Sequence, residues 1–283
     1  MFISGSIGLT ILKNGKKTIS ILSDDHSNEI YCDRVVEDLE NKEHIEIKDY
    51  LNSELNKGSL ILLEEVPRDE TELEELWPNT KHTQDLKKFF LDNRNEINPI
   101  IGLDIRPFLI PFSLDIINQD KKLLKILVSD YLIDLKNFFN LTGKFYNSYF
   151  NPLLNKIIFK SKNFGKILIN LKKKFNSIML KIKNQNLTLE DCIQNHELLL
   201  ISILELCDEI MEFYTVLNCM IDNNNIIIHV GLFHGEKVIN LLQNSFNFEN
   251  IYKSGINNID NIKSIRFDTR YVIPSCIESP KDL

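Results

Sequence analysis

The chain has 283 residues, 43% of them hydrophobic and 26% charged, and carries a formal net charge of −7. A hydrophobic fraction this large excludes an intrinsically disordered chain and suffices for a substantial core. The five cysteines include no Cys-x-x-Cys pair, which argues against a zinc knuckle and against a disulfide framework, so we expect reduced thiols.

Membrane segments are not expected either. The apolar runs fall well short of the roughly 18 residues that a transmembrane helix needs, and Met1–Thr10 lacks the basic flank of a signal peptide. We therefore predict no membrane span and a cytoplasmic or other reducing intracellular location. The abundance of Asn, Ile and Lys is typical of AT-rich genomes such as those of large DNA viruses and protists, so a virus-encoded protein with a place in the virion fits the composition as well.

The N-terminal segment predicts a β-hairpin. Two short β-prone runs, Ile7–Leu12 and Thr18–Leu22, flank Asn14-Gly15, and Asn-Gly between such runs is a strong hairpin signal. The second run ends at the polar segment Ser23–Asn28, which we interpret as a loop.

Three continuous aliphatic runs follow, each closed by polar residues or glycine, as is typical of buried parallel strands. They are Ser59–Leu63, Pro99–Ile105 and Asn225–Val230. Helices are predicted at Lys48–Asn56 and Thr83–Asn93. The alternation of strands and helices predicts an α/β fold with a mixed, mostly parallel central sheet flanked by helices.

A long helical series occupies 121–222 and predicts a helical insertion or cap between the two strand-bearing segments. We divide the chain accordingly into two halves of an α/β core, 1–120 and 223–273, and a loose polar tail at 274–283. In the last helix of the insertion, helical spacing predicts an apolar face of Leu198, Ile201 and Leu204 and a polar face of Glu205, Asp208 and Glu212.

Charge is distributed unevenly along the chain. The segment 23–75 has 18 acidic and 5 basic residues, whereas 121–185 has 14 Lys and 2 Asp. Such asymmetry marks either a patch for nucleic acid or another anionic surface, or two halves that solvate opposite faces, and we favour the second interpretation. The run Lys172–Lys174 beside Phe175 fits a solvated helix face with one core aromatic, and no recognition motif supports nucleic-acid binding. Whether the helical insertion docks a protein partner is left open.

Polar side chains stand where the predicted strands end. In open α/β sheets, functional residues collect beyond the carboxyl ends of the strands, so we expect these side chains to converge. Two imidazoles and a carboxylate can ligate a divalent metal or share a proton, and a guanidinium can hold an anion. The acidic pair Asp24 and Asp25 precedes His26 and can orient its ring. The side chains are His26, Glu64 or Glu65, Asp104, Arg106 and His234.

Several common catalytic motifs are missing from the sequence. It has no Gly-rich phosphate loop, no Gly-x-Ser-x-Gly elbow and no His-Glu-x-x-His helix. The commonest ATPase, serine hydrolase and zincin classes are therefore excluded.

The order of the strand-end motifs resembles that of one superfamily. Ser23-x-x-His26 follows the first strands, Leu62-Leu63-Glu64 the next, and Val230-Gly231-x-x-His234 the last. This order is similar to that of Tiki-type proteases, erythromycin esterases and ChaN-like haem-binding proteins, in which two Gly-x-x-His-type motifs with intervening Glu and Arg line one pocket over a mixed sheet. The resemblance extends from about residue 18 to 248, and it departs from the Tiki-like pattern at Ser23, which replaces a glycine.

The resemblance implies a hydrolase for an ester or amide in a small molecule or peptide. His26, Glu64 and His234 would activate water, directly or through a divalent metal held by the two histidines, and Arg106 would stabilise negative charge. It also leaves open a non-catalytic protein on the same scaffold, either a haem or small-ligand binder or a virus-encoded interaction component. Supporting roles around the site are predicted for Asp25, Glu65, Asp104 and Gly231.

Overall fold

The computed structural model describes residues 1–25, 32–34, 36–67, 81–93, 100–111, 117, 120–157, 161–183, 185–266 and 273–280, with the backbone alone for 34, 81–84 and 263–266. The chain forms two compact units. The sheet unit combines Met1–Leu103 with Asn223–Leu283, and the helical unit is Asp104–Asp222.

The sheet unit contains nine described strands and four described α-helices. In chain order they are β1 (Phe2–Ser4), β2 (Gly8–Asn14), β3 (Lys17–Asp24), β4 (His44–Glu46), α1 (Ile47–Asn56), β5 (Leu60–Leu63), α2 (Lys81–Asn93), β6 (Ile100–Gly102), β7 (Asn225–Gly231), α10 (Leu232–Phe246), β8 (Glu249–Gly255), α11 (Ile259–Arg266) and β9 (Cys276–Glu278), with α3 to α9 belonging to the helical unit.

The central sheet has six strands in the order β6-β5-β7-β3-β2-β8. The pairs β6/β5, β5/β7 and β7/β3 are parallel, while β2 is antiparallel to both β3 and β8. The predicted hairpin is confirmed, since β2 and β3 pair through a turn in which Gly15 has a φ of 59°. The predicted fold class, a mostly parallel mixed sheet flanked by helices with a helical insertion, is therefore confirmed.

Helices cover both faces of this sheet, which explains the continuous aliphatic runs of its parallel strands. Leu22, Ile61 and Ile227 point to one face, where they share a core with residues of α1 and α2. The other face meets α10: a Cβ on Gly235 would lie 3.5 Å from Val230 and 3.7 Å from Ile21. Side chains of alternating direction are thus buried on both sides, so these strands lack an apolar-polar alternation.

A smaller sheet has the order β4-β1-β9, with β4 parallel and β9 antiparallel to β1. Each of its strands has three residues. The prediction of a loose tail from residue 274 is wrong for β9, because this strand pairs with β1 along its whole length.

The small sheet also brings two cysteines together. Cys32 and Cys276 are 244 positions apart, yet their Cα atoms lie 4.9 Å apart and their side chains form a disulfide. The expectation of five reduced thiols is wrong for this pair. Cys192, Cys207 and Cys219 are buried and take no part in this disulfide.

The helical unit contains seven described α-helices. They are α3 (Val128–Tyr131), α4 (Ile133–Phe139), α5 (Gly143–Phe145), α6 (Asn151–Lys156), α7 (Lys162–Ile182), α8 (Leu189–Asn195) and α9 (Glu197–Asn218), with a π-helical segment at Tyr146–Phe150 between α5 and α6.

Aromatic rings fill the core of the helical unit. The ring of Phe138 lies 5.0 to 5.2 Å, between centroids, from those of Phe139, Phe145 and Phe150. Phe175 of α7 stacks on Phe139 at 4.7 Å. Phe175 is therefore a core aromatic residue, as predicted when Lys172–Lys174 was interpreted as a solvated helix face.

The faces predicted for α9 are wrong. Leu198 is 78% exposed and Ile201 is 39% exposed, whereas Glu212 is only 4% exposed. Every residue from Ile210 to Asn218 is buried, so the second half of the helix is enclosed on all sides. A single division into an apolar and a polar face therefore does not describe this helix.

Membrane spans were also predicted to be missing. Among the residues that the structure describes, no helix combines the length and the apolar character needed to cross a bilayer.

Candidate functional site

Three neighbouring parallel strands of the sheet unit end at one edge. In the register of the central sheet, Asp24 at the end of β3 pairs with Gly231 at the end of β7, and Leu63 at the end of β5 pairs with His229. The backbone N–H of Glu64 donates to the His229 carbonyl at 3.0 Å and extends this pairing by one residue. The strand-end residues of β3, β5 and β7 are thus brought to the same edge.

Glu64 is fixed by the turn from β7 into α10. The helix begins at Leu232, directly after the strand, so the backbone N–H of Gly231 is free of a helical partner and donates to Glu64 Oε2 at 2.7 Å. A helix N-terminus carries partial positive charge and favours an anion there. The carboxylate therefore satisfies one backbone N–H at the N-terminus of α10 and ties the end of β5 to it.

His234 lies in the first turn of α10, on the same side as Glu64. Its Nε2 atom lies 3.7 Å from Glu64 Oε1, which is an ion-pair distance when the imidazole is protonated and is longer than a direct hydrogen bond. The side chains of His234 and Glu64 are 9% and 7% exposed. The His234 ring also makes an edge contact with Phe233, at 5.4 Å between ring centroids.

Two glycines allow this close packing. A Cβ on Gly102 of β6 would lie 2.5 Å from the carbonyl oxygen of Glu65 and 2.9 Å from the nitrogen of Pro67, so only glycine lets the segment after β5 lie over β6. A Cβ on Gly235 would lie 2.9 Å from Ser23 Oγ, so glycine lets α10 approach β3 directly after His234.

The structure brings together some of the residues predicted from the sequence. Glu64, Gly231 and His234 form one contact set, as the strand-end pattern predicts. Asp25 follows β3 at the same edge. His26 lies outside the described residues, so the predicted pairing of the two imidazoles stays a prediction.

Metal ligation was predicted for His26 and His234. Within the described part of the chain, no group of three or more His, Cys, Asp or Glu side chains could hold a metal ion. Glu64 and His234 supply two donor atoms of the kinds that zinc accepts, an oxygen and a nitrogen.

Asp104 and Arg106 form a cluster of their own in the helical unit. Asp104 is fully buried, and its Oδ1 accepts from Arg106 Nε at 2.7 Å and from the Arg106 backbone N–H at 3.3 Å. A second nitrogen of the Arg106 guanidinium donates to Asp208 of α9 at 3.1 Å. Next to Asp208, burial raises the pKa of the Cys207 thiol well above its ordinary value. The guanidinium is thus held between two carboxylates, which offsets the cost of burying Asp104.

Sequence reasoning missed one contributor to these sites. Asp208 was assigned to a polar face of α9, but its bond to Arg106, 102 positions away, was not predicted, because no sequence signal links such distant residues. Asp24 is the last residue of β3 and is 3% exposed. Its predicted role in orienting the His26 ring stays a prediction, because His26 lies outside the described residues.

The Glu64–His234 pair has the arrangement of a base with an orienting group. A carboxylate held by a backbone N–H faces an imidazole, and an imidazole so placed can take a proton from water or another nucleophile. The chain has no significant match among models of protein families, among curated proteins or among solved structures. The superfamily resemblance therefore stays a prediction.

Proposed function

We propose that the sheet unit is a hydrolase in which Glu64 and His234 activate water for attack on an ester or amide. The observation that carries the proposal is the contact set at the end of β5: Glu64 binds the Gly231 N–H with one oxygen and faces His234 with the other. Functional groups of open α/β sheets collect at this edge, where the strands fix their positions.

In the proposed reaction His234 acts as general base. It takes a proton from water while the water oxygen bonds to the carbonyl carbon, and the Glu64 carboxylate stabilises the imidazolium that forms. The imidazolium then returns its proton to the leaving alcohol or amine as the carbon-oxygen or carbon-nitrogen bond breaks. Proton transfer of this kind contributes about 10²–10⁴-fold to the rate.

The sequence adds further participants to the proposal. His26 would be a second imidazole at the same edge, and a divalent metal held by His26 and His234 would polarise the attacked carbonyl or the water. Arg106, to which the resemblance assigns the stabilisation of negative charge, lies in the helical unit beside Asp104 and Asp208, so that role stays a prediction. The proposal itself stands on Glu64 and His234.

The burial of the pair favours the alternative, a non-catalytic protein on the same scaffold. Side chains that are only 7% and 9% exposed are also what a structural tie between β5 and α10 would show. This alternative predicts that the Glu64–His234 pair contributes to folding stability. It also predicts that neither the parent nor the variants hydrolyse a substrate.

Substitutions of Glu64 and His234 separate the two proposals. In Glu64→Gln the amide oxygen can still accept the Gly231 N–H, while the negative charge facing His234 is lost. We expect hydrolysis of p-nitrophenyl acetate and of a matched anilide to fall about 100-fold or more in Glu64→Gln and in His234→Ala. His196→Ala is the control, because His196 is an exposed histidine of the helical unit.

The thermal melt is measured on the same samples. Loss of turnover with a melting temperature within a few degrees of the parent supports the hydrolase. Parallel loss of folding in both variants, or a parent without activity on either substrate, would support the structural role. Elemental analysis and an absorption spectrum of the purified protein identify a bound cofactor. A stoichiometric divalent metal supports metal-assisted hydrolysis, and a Soret band supports a haem binder.

A further inference from the structure

The outer face of α7 in the helical unit carries a regular row of exposed lysine and aliphatic side chains that make no contribution to the core. The inner face of this helix is apolar and buried, with no residue of the set more than 6% exposed. The set is Leu171, Phe175, Ile178 and Ile182.

A second stripe lies on the opposite side of the same helix. Its members follow one another at intervals of four and three residues, so at about 100° per residue they fall on one line, turned by half a circle from the buried set. All of them are exposed. At about 1.5 Å per residue the stripe is about 27 Å long. Its members are Lys162, Lys166, Ile169, Lys173, Asn176 and Leu180.

Two large aliphatic side chains in this stripe point into solvent. Ile169 is 56% exposed and Leu180 is 70% exposed. Because they stand opposite the buried set, they add nothing to the core of the helical unit. A single exposed aliphatic residue needs no explanation, but two in one line with lysines form a surface with both apolar and cationic character.

The lysines of the stripe have no acidic partner among the residues that the structure describes. Helix α7 contains no Asp or Glu. Among the described residues no carboxylate lies within ion-pair distance of Lys162, Lys166 or Lys173, whereas the neighbouring Lys174, outside the stripe, is paired with Glu209. The positive charge of the stripe is therefore available to an external anion.

We propose that this stripe docks the protein on an anionic lipid surface. Lysines on an exposed helix face are attracted to the negative potential of acidic headgroups, and aliphatic side chains in the same row can enter the boundary of the acyl chains. A straight row about 27 Å long matches a flat surface. Nucleic acid is the less favoured partner, because the stripe has no aromatic side chain and no arginine to stack on bases.

The test is co-sedimentation of the full chain with vesicles. We expect binding to vesicles of phosphatidylcholine with about one third phosphatidylserine, little binding to phosphatidylcholine alone, and loss of binding as salt rises. Each lysine near the surface contributes about fivefold, so Lys166→Gln with Lys173→Gln should weaken binding about 25-fold. A matched double variant, Lys13→Gln with Lys16→Gln, removes the same charge from the exposed β2–β3 hairpin and should bind like the parent.

The aliphatic residues distinguish the lipid from other polyanions. Ile169→Gln with Leu180→Gln keeps the charge and a good helix former, and it should weaken vesicle binding about tenfold or more. Equal binding by parent and lysine variant, no binding by the parent, or equal binding to neutral vesicles would overturn the proposal. Tighter binding of a 30-base-pair DNA duplex than of vesicles, unaffected by the Ile169 and Leu180 substitutions, would overturn it in favour of nucleic acid.

Discussion

Removal of the Cys32–Cys276 disulfide should destabilise the protein by an amount that its position predicts. The bridge joins residues 244 apart in sequence, and closing a loop of this length in the unfolded chain corresponds to about 5 kcal/mol at 25 °C from chain entropy. Measured bridges typically contribute about 2–4 kcal/mol, so we expect about 3 kcal/mol for Cys32→Ser with Cys276→Ser. For a unit of this size that corresponds to a fall in Tm of about 6–12 °C.

The assay is urea unfolding of the parent and of the double variant, each with and without a dithiol reductant. The parent should lose stability on reduction and then match the double variant, whose own stability should not respond to the reductant. Alkylation of the denatured, non-reduced parent provides the control, since only Cys192, Cys207 and Cys219 should react. Equal unfolding free energies of parent and double variant, or alkylation of all five cysteines without reductant, would refute the reasoning.

Two further substitutions test how the fold supports its sites. Gly102→Ala places a Cβ against the backbone of the segment that follows Glu64, so we expect a loss of about 1–3 kcal/mol in urea unfolding together with reduced hydrolysis, and a parent-like protein would contradict the packing. Thr188→Ala removes the N-cap of α8 and should cost about 1 kcal/mol. Hydrogen bonds from the Thr188 backbone and hydroxyl hold the pKa of Asp191 below its ordinary 3.8. The ionised carboxylate therefore stabilises the fold above pH 3.8, that contribution is lost as the pH falls through the lowered pKa, and the acid dependence of stability should weaken in Thr188→Ala.

The strands of the central sheet could be predicted where local signals are strong. Asn14-Gly15 marked the hairpin, and the aliphatic runs marked β5, β6 and β7, because strands buried on both faces leave an unbroken apolar pattern. β8 was missed, since its residues are mostly exposed or half-buried and polar, as befits the antiparallel edge of the sheet.

The small sheet and its disulfide could not be predicted for a different reason. β1, β4 and β9 have three residues each, and the pairing of β1 with β9 joins Phe2 to Glu278. Neither periodicity nor cysteine spacing encodes contacts of this kind. Cys32 and Cys276 come within bonding distance only when β1 aligns the segments that carry them.

The candidate site was predicted in part because strand ends converge in parallel sheets. Glu64 and His234 follow strands β5 and β7, which are adjacent in the sheet, and they meet in the structure. Arg106 and Asp104 also follow a strand, β6, but their described partner is Asp208 on α9. A pairing between a strand end and a helix 102 positions away depends on tertiary packing and leaves no pattern in the sequence.

The most direct measurement for the Glu64–His234 site is a double-mutant cycle on the hydrolysis rate, with Glu64→Gln, His234→Ala and the two combined. Residues that act as one unit show non-additive losses. The account predicts that the combined variant is no slower than the slower single variant, with all three remaining folded. Losses that multiply in the combined variant, or hydrolysis rates that are unchanged in all three variants, would contradict it.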